Sequence, residues 1–77
     1  MQSRDIGTKL AFVECRIPEL HLHIDQQRQL LEALAFEEQD VTSAAIVLDS
    51  LLLSLFLCVE GRNRLRAELD IDASRAA

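Results

Sequence analysis

The sequence predicts a mainly α fold: a small helical bundle with an extended N-terminal arm, completed by oligomerisation or by a partner chain. Three observations lead there. Gln26 to Glu38 consists almost wholly of strong helix formers. Ala44 to Val59 is a near-continuous apolar run, interrupted by Asp49, Ser50 and Ser54. And 77 residues that are 49% hydrophobic hold more apolar surface than so short a chain readily buries by itself. The expected division is an arm over 1–23, a helical domain over 24–72 and a tail over 73–77.

Along the chain, Met1 to Lys9 is polar and reads as loose. Leu10 to Ile17 is stopped by Pro18 and fits either a short strand or one to two turns of helix. Beyond Pro18, Leu20, Leu22 and Ile24 alternate with Glu19, His21 and His23, the period of a half-buried strand or of an arm lying in a groove. Asp25 is a good N-cap for the helix that follows, whose Leu30, Leu31, Leu34 and Ala35 form one stripe with Phe36 at its edge. Gln39 to Ser43 reads as a break, because Asp40, Thr42 and Ser43 prefer caps and turns. Asp49 and Ser50 are again capping residues, so a second helix is expected to start there and run toward Arg66. Leu65 and Leu69 prolong its apolar stripe, and Asp70 to Ala77 reads as a polar tail.

The charge balance narrows the function classes. Eight Lys and Arg against 13 Asp and Glu leave a net charge of −5, which disfavours a grip on nucleic-acid phosphates. Three Phe with no Trp or Tyr offer little surface for base stacking. Cys15 and Cys58 are too few for a disulfide framework and form no CxxC, so they are expected to be free thiols in a reducing, cytoplasmic setting. The N-terminus has no apolar signal core. No nucleophile has a histidine beside it in sequence and the two glycines are isolated, so no enzyme is expected.

Three further arrangements compete. With Glu19 to Ile24 as a strand and two helices after it, the order matches ribbon-helix-helix DNA-binding dimers, but Glu19, His21 and His23 would make a poor base-reading face. Val41 to Val59 is long enough to span a bilayer, with Arg62, Arg64 and Arg66 on the cytoplasmic side. Membrane insertion is disfavoured, because Asp49 near the middle of that span costs about 2.5–3.5 kcal/mol on insertion scales. On a strand, His21 and His23 share a face and with Cys15 offer metal ligands, although paired surface histidines are commoner.

Asp49-Ser50-Leu51 carries the most chemistry. A serine at a helix N-terminus sits where backbone N–H groups and the helix dipole favour a phosphate. Here the sequence resembles the acyl and peptidyl carrier protein family, whose Asp-Ser-Leu serine bears a 4′-phosphopantetheine arm. Asp40-Val41-Thr42-Ser43-Ala44-Ala45 is similar to the family's loop after helix one, and Glu68-Leu69-Asp70 to the end of helix two. The resemblance implies attachment at Ser50, with Asp49 and Leu51 framing it for a phosphopantetheinyl transferase. It also implies acyl- or aminoacyl-transferring enzymes as partners, the chain itself presenting a thioester without catalysing. Val47 and Leu48 stand where the family has glycine, and a last helix is missing. A second register, on Val59-Glu60-Gly61-Arg62-Asn63-Arg64-Leu65, puts Leu55 at the attachment point instead. The alternative function is a dimeric helical interaction module: an adaptor, an inhibitor, or a DNA-binding regulator of ribbon-helix-helix type.

Overall fold

Leu20 and Ile24 are 0% and 4% exposed, while Leu22 between them is 56% exposed. A strand turns all three to one side; a helix brings positions four apart together and sends the middle one away. The computed structural model, which describes residues 2–76 and the side-chain burial of 5–75, accordingly has a helix α1 at Gln2–Phe36 and a helix α2 at Thr42–Ala76, 35 residues each. They fold back on each other as a hairpin measuring 61 × 14 × 14 Å. The expectation of a mainly α fold holds.

One thin seam joins the helices. On α1 the buried and half-buried positions include Ile6, Leu10, Val13, Ile17, Leu20, Ile24, Gln27, Leu31 and Leu34. On α2 they include Ala44, Leu48, Leu51, Leu55, Cys58, Arg62, Leu65, Leu69 and Asp72. Both series step alternately by four and three, the 3.5-residue repeat with which coiled-coil helices keep one edge toward each other. Polar side chains interrupt the seam. Gln27 Nε2 donates to the Ala44 carbonyl at 3.1 Å, and Arg66 Nη2 donates to Glu14 Oε2 at 2.6 Å across the helices. Such contacts hold the register of two otherwise repetitive edges.

The connection ends α1 and starts α2 with separate devices. Glu38 sits in the left-handed region at φ 59°. Its N–H bonds to the Ala35 carbonyl at 3.1 Å, and that of Gln39 to Leu34 at 2.8 Å. Together these form the paired closure of a Schellman motif. Asp40 Oδ1 then accepts from the Thr42 N–H at 2.9 Å and the Thr42 hydroxyl at 2.7 Å, and Ala45 N–H reaches the Val41 carbonyl at 2.9 Å. The first orphan amide at the head of α2, that of Thr42, is thus met at Asp40.

Several expectations are corrected. The arm over 1–23 is not extended: from Gln2 onward it is the first two-thirds of α1. Asp25 is exposed in mid-helix and caps nothing, because Leu20, Ile24 and Gln27 carry the seam through it. The second helix starts at Thr42, not at Asp49-Ser50, because Asp40 supplies the capping bonds two turns earlier. The tail from Asp70 is helical through Ala76, with Leu69 and Asp72 still on the seam side. Met1 and Ala77, the ends of the expected arm and tail, lie outside the described residues. Among the described residues there is no strand, so Glu19 to Ile24 supplies no ribbon for DNA.

Pro18 lies inside α1, where it lacks an N–H and crowds the preceding turn. In thermal unfolding, Pro18→Ala is expected to stabilise the protein by about 1–3 kcal/mol. An extended arm would give no gain or a loss. Gly61→Ala, whose added Cβ meets nothing within 4 Å, is expected to add about 1 kcal/mol. The Asp40 carboxyl is held below its ordinary pKa of 3.8, first by the Thr42 hydroxyl and then by the Thr42 N–H. A depressed folded pKa stabilises the fold above 3.8 and loses that contribution as pH falls through the depressed value. Asp40→Ala should therefore lower the unfolding midpoint at neutral pH and decline less steeply than the parent under acid.

Candidate functional site

Ser50 sits about two turns inside α2, beyond reach of the free amides of its first turn. Its Oγ donates to the Ile46 carbonyl at 3.1 Å, and the side chain is exposed. This back-bond is how a mid-helix serine satisfies its hydroxyl without a cap. Asp49 beside it is exposed, whereas Leu51 is half-buried toward α1. The three residues are therefore split between the outside and the seam. The helix-end amides of α2 belong to its first turn at Thr42 to Ala45, where Thr42 is already bonded to Asp40 and Ala45 to Val41.

What surrounds Ser50 is apolar. Ile46, Leu53 and Leu57 recur with Ser50 at steps of four, three and four, forming a second stripe on the side of α2 facing away from α1. Val47, Leu52 and Phe56 widen it, and all six large side chains are exposed, Leu53 at 59% and Phe56 at 58%. The outward side of α1 is different in kind, carrying Glu19, Asp25, Gln26, Gln29 and Glu32. Phe12, Leu22 and Phe36 are exposed there among polar neighbours. Greasy surface is concentrated on one helix, and within it on Ile46 to Leu57.

Charge brackets the stripe. On one side is the acidic turn, with Glu37, Glu38 and Asp40 exposed. On the other, Arg62, Arg64 and Arg66 follow Glu60. Arg66 is engaged by Glu14, and the Arg62 guanidinium makes long 3.4 Å contacts to Asn63 Oδ1. Arg64 is exposed on the same side of α2 as Leu57.

The remaining candidate residues do not converge. A helix sends His21 and His23 about 200° apart around its axis, undoing the common face that a strand would have given them. Among the described residues no three His, Cys, Asp or Glu side chains cluster as a metal site. Cys15 is exposed and Cys58 half-buried in the seam, both free. A depression at the open end of the hairpin is lined by Ile6, Glu68, Ile71, Asp72 and Arg75, a mixture with no reactive pair. By length and composition α2 is apolar enough to cross a membrane: its best 18-residue window has a mean hydropathy of 2.1 and is 6% buried.

No protein-family model matches the sequence, and no curated protein or solved structure is similar to it. The excess of apolar surface on this run was legible in the sequence; its placement as a stripe from Ile46 to Leu57 opposite the seam was not. Its signal was present in the steps from Ile46 to Leu57, but an apolar run with no polar face shows no period to a search for amphipathicity.

Proposed function

We propose that this chain is a non-enzymatic, cytoplasmic helical interaction module, acting as part of a protein assembly in which the outer side of α2 is covered by protein. The observation that carries this is the row of large apolar side chains from Ile46 to Leu57 left in solvent by the hairpin. A helix that is apolar nearly all round is a buried helix, and a patch of this kind marks an interaction surface. Protein fits the row better than lipid does. Asp49 and Ser54 lie on opposite flanks of the stripe, where the rim of a protein interface leaves them in water. In a bilayer Asp49 enters hydrocarbon at about 2.5–3.5 kcal/mol. Insertion would also drag along, or strip away, the charged α1 with its Glu14, Glu19, Asp25 and Glu32.

The test is extraction. Membranes from cells making the full chain are washed with carbonate at high pH, and the protein is expected in the supernatant. Retention in the pellet until detergent is added would replace the interaction module with a membrane span.

A second reading rests on the exposed Ser50 hydroxyl. On it, Ser50 carries 4′-phosphopantetheine, Asp49 and Leu51 frame it for a phosphopantetheinyl transferase, and acyl- or aminoacyl-transferring enzymes are the partners. Incubation with coenzyme A and a broad-specificity transferase decides between the two by intact mass. A plain interaction module gains nothing. A gain of one phosphopantetheine that disappears in Ser50→Ala would establish the carrier instead.

A further inference from the structure

We propose that the protein covering the outer side of α2 is a second copy of this chain, docked antiparallel about a two-fold axis between the Ser50 and Leu53 levels. This rests on the interaction-module reading and adds to it a partner and an orientation.

Size is the first support. Covering Ile46, Leu53 and Leu57, and half-covering Val47 and Phe56 at the edges, removes on the order of 450 Å² per chain, taking about 200 Å² for a fully exposed large side chain. That is a little over half of the roughly 800 Å² per partner found in a standard stable interface. A two-fold contact needs a patch complementary to itself. The stripe has that property: inverted about its midpoint, Ile46 meets Leu57 of the second copy and the small Ser50 meets Leu53 of the second copy. The Ser50 hydroxyl enters the interface already bonded to the Ile46 carbonyl, so its burial leaves no unmet donor.

Charge sets the direction. Thr42, which follows the acidic turn, and Arg64 stand on opposite sides of that midpoint, about 14 Å and about 19 Å from it at 1.5 Å per residue. Antiparallel docking therefore brings the acidic turn of each copy, Glu38 and Asp40, against Arg64 of the other. Parallel docking stacks acidic turn on acidic turn and Arg64 on Arg64, which costs affinity. Asp49 stays on the flank, in water.

The experiment is disulfide trapping with the full chain. Ile46→Cys protein is mixed with Leu57→Cys protein, oxidised, and the linked peptides are mapped by mass. The expected main product joins position 46 of one chain to position 57 of the other. A dominant 46–46 link, which requires parallel helices, overturns the orientation, and no intermolecular link at all overturns the dimer. A second variant leaves the core alone. Arg64→Glu is expected to raise the dimer dissociation constant on the order of tenfold at low salt, two symmetric ion pairs being lost, with recovery in the Arg64→Glu/Glu38→Lys double variant. An unchanged constant overturns the charge pairing. A chain that sediments as a soluble monomer at every concentration overturns self-assembly and leaves the interaction module standing. One that floats with phosphatidylcholine–phosphatidylglycerol vesicles overturns both.

Discussion

A helix packed against a single neighbour hides a stripe of about 100° or little more, and everything distinctive about this hairpin follows from that limit. For α1 the limit costs less: Ile6 through Leu34 meet α2, and the opposite side carries Glu19, Asp25, Gln29 and Glu32, with Phe12, Leu22 and Phe36 exposed singly among them. For α2 it is not. Its seam residues, Ala44 through Leu69, are matched by a second apolar stripe that no part of the hairpin reaches. Leu20 alone is fully enclosed among the large side chains described, so the fold has an edge of contact more than a core. Burial on that scale gives small domains little margin, and additional covered surface is what they commonly add.

The parts of the fold that could be read from the sequence were those decided within a few residues. The break expected over Gln39 to Ser43 rests on capping chemistry and lies two residues earlier, over 37–41, with Thr42 and Ser43 already in α2 behind the Asp40 cap. Leu65 and Leu69 continue the α2 stripe as their spacing implied. What failed was decided by the partner helix. Leu20, Leu22 and Ile24 alternate like a strand, yet opposite α2 only the pair four apart is wanted and Leu22 is left outside. Pro18 argued for a stop, and the seam on both sides of it, at Ile17 and Leu20, outweighs its local penalty. Capping propensity at Asp25 and at Asp49-Ser50 likewise gave way to continuous helix, since an exposed Asp or Ser tolerates a helical interior at small cost.

The same continuity changes what Ser50 can do. As the first residue of a helix it would be bathed in free amides; two turns in, its hydroxyl bonds back to Ile46 and its neighbours along the stripe are Leu53 and Leu57. Those neighbours favour a packed partner over a solvated phosphate. Polar residues on the flanks give such a partner a rim, and the acidic turn at one end of the stripe, with Arg64 one turn beyond Glu60 at the other, gives it a direction.

Concentration dependence of thermal unfolding tests the central claim most directly. If the folded state is an assembly held through α2, circular dichroism of the full chain in detergent-free buffer will show a single helical transition whose midpoint climbs several degrees over a hundredfold rise in protein concentration. A midpoint fixed across that range, together with a monomeric mass, would mean that the two-helix seam suffices by itself and that the outer stripe of α2 has no protein to cover it.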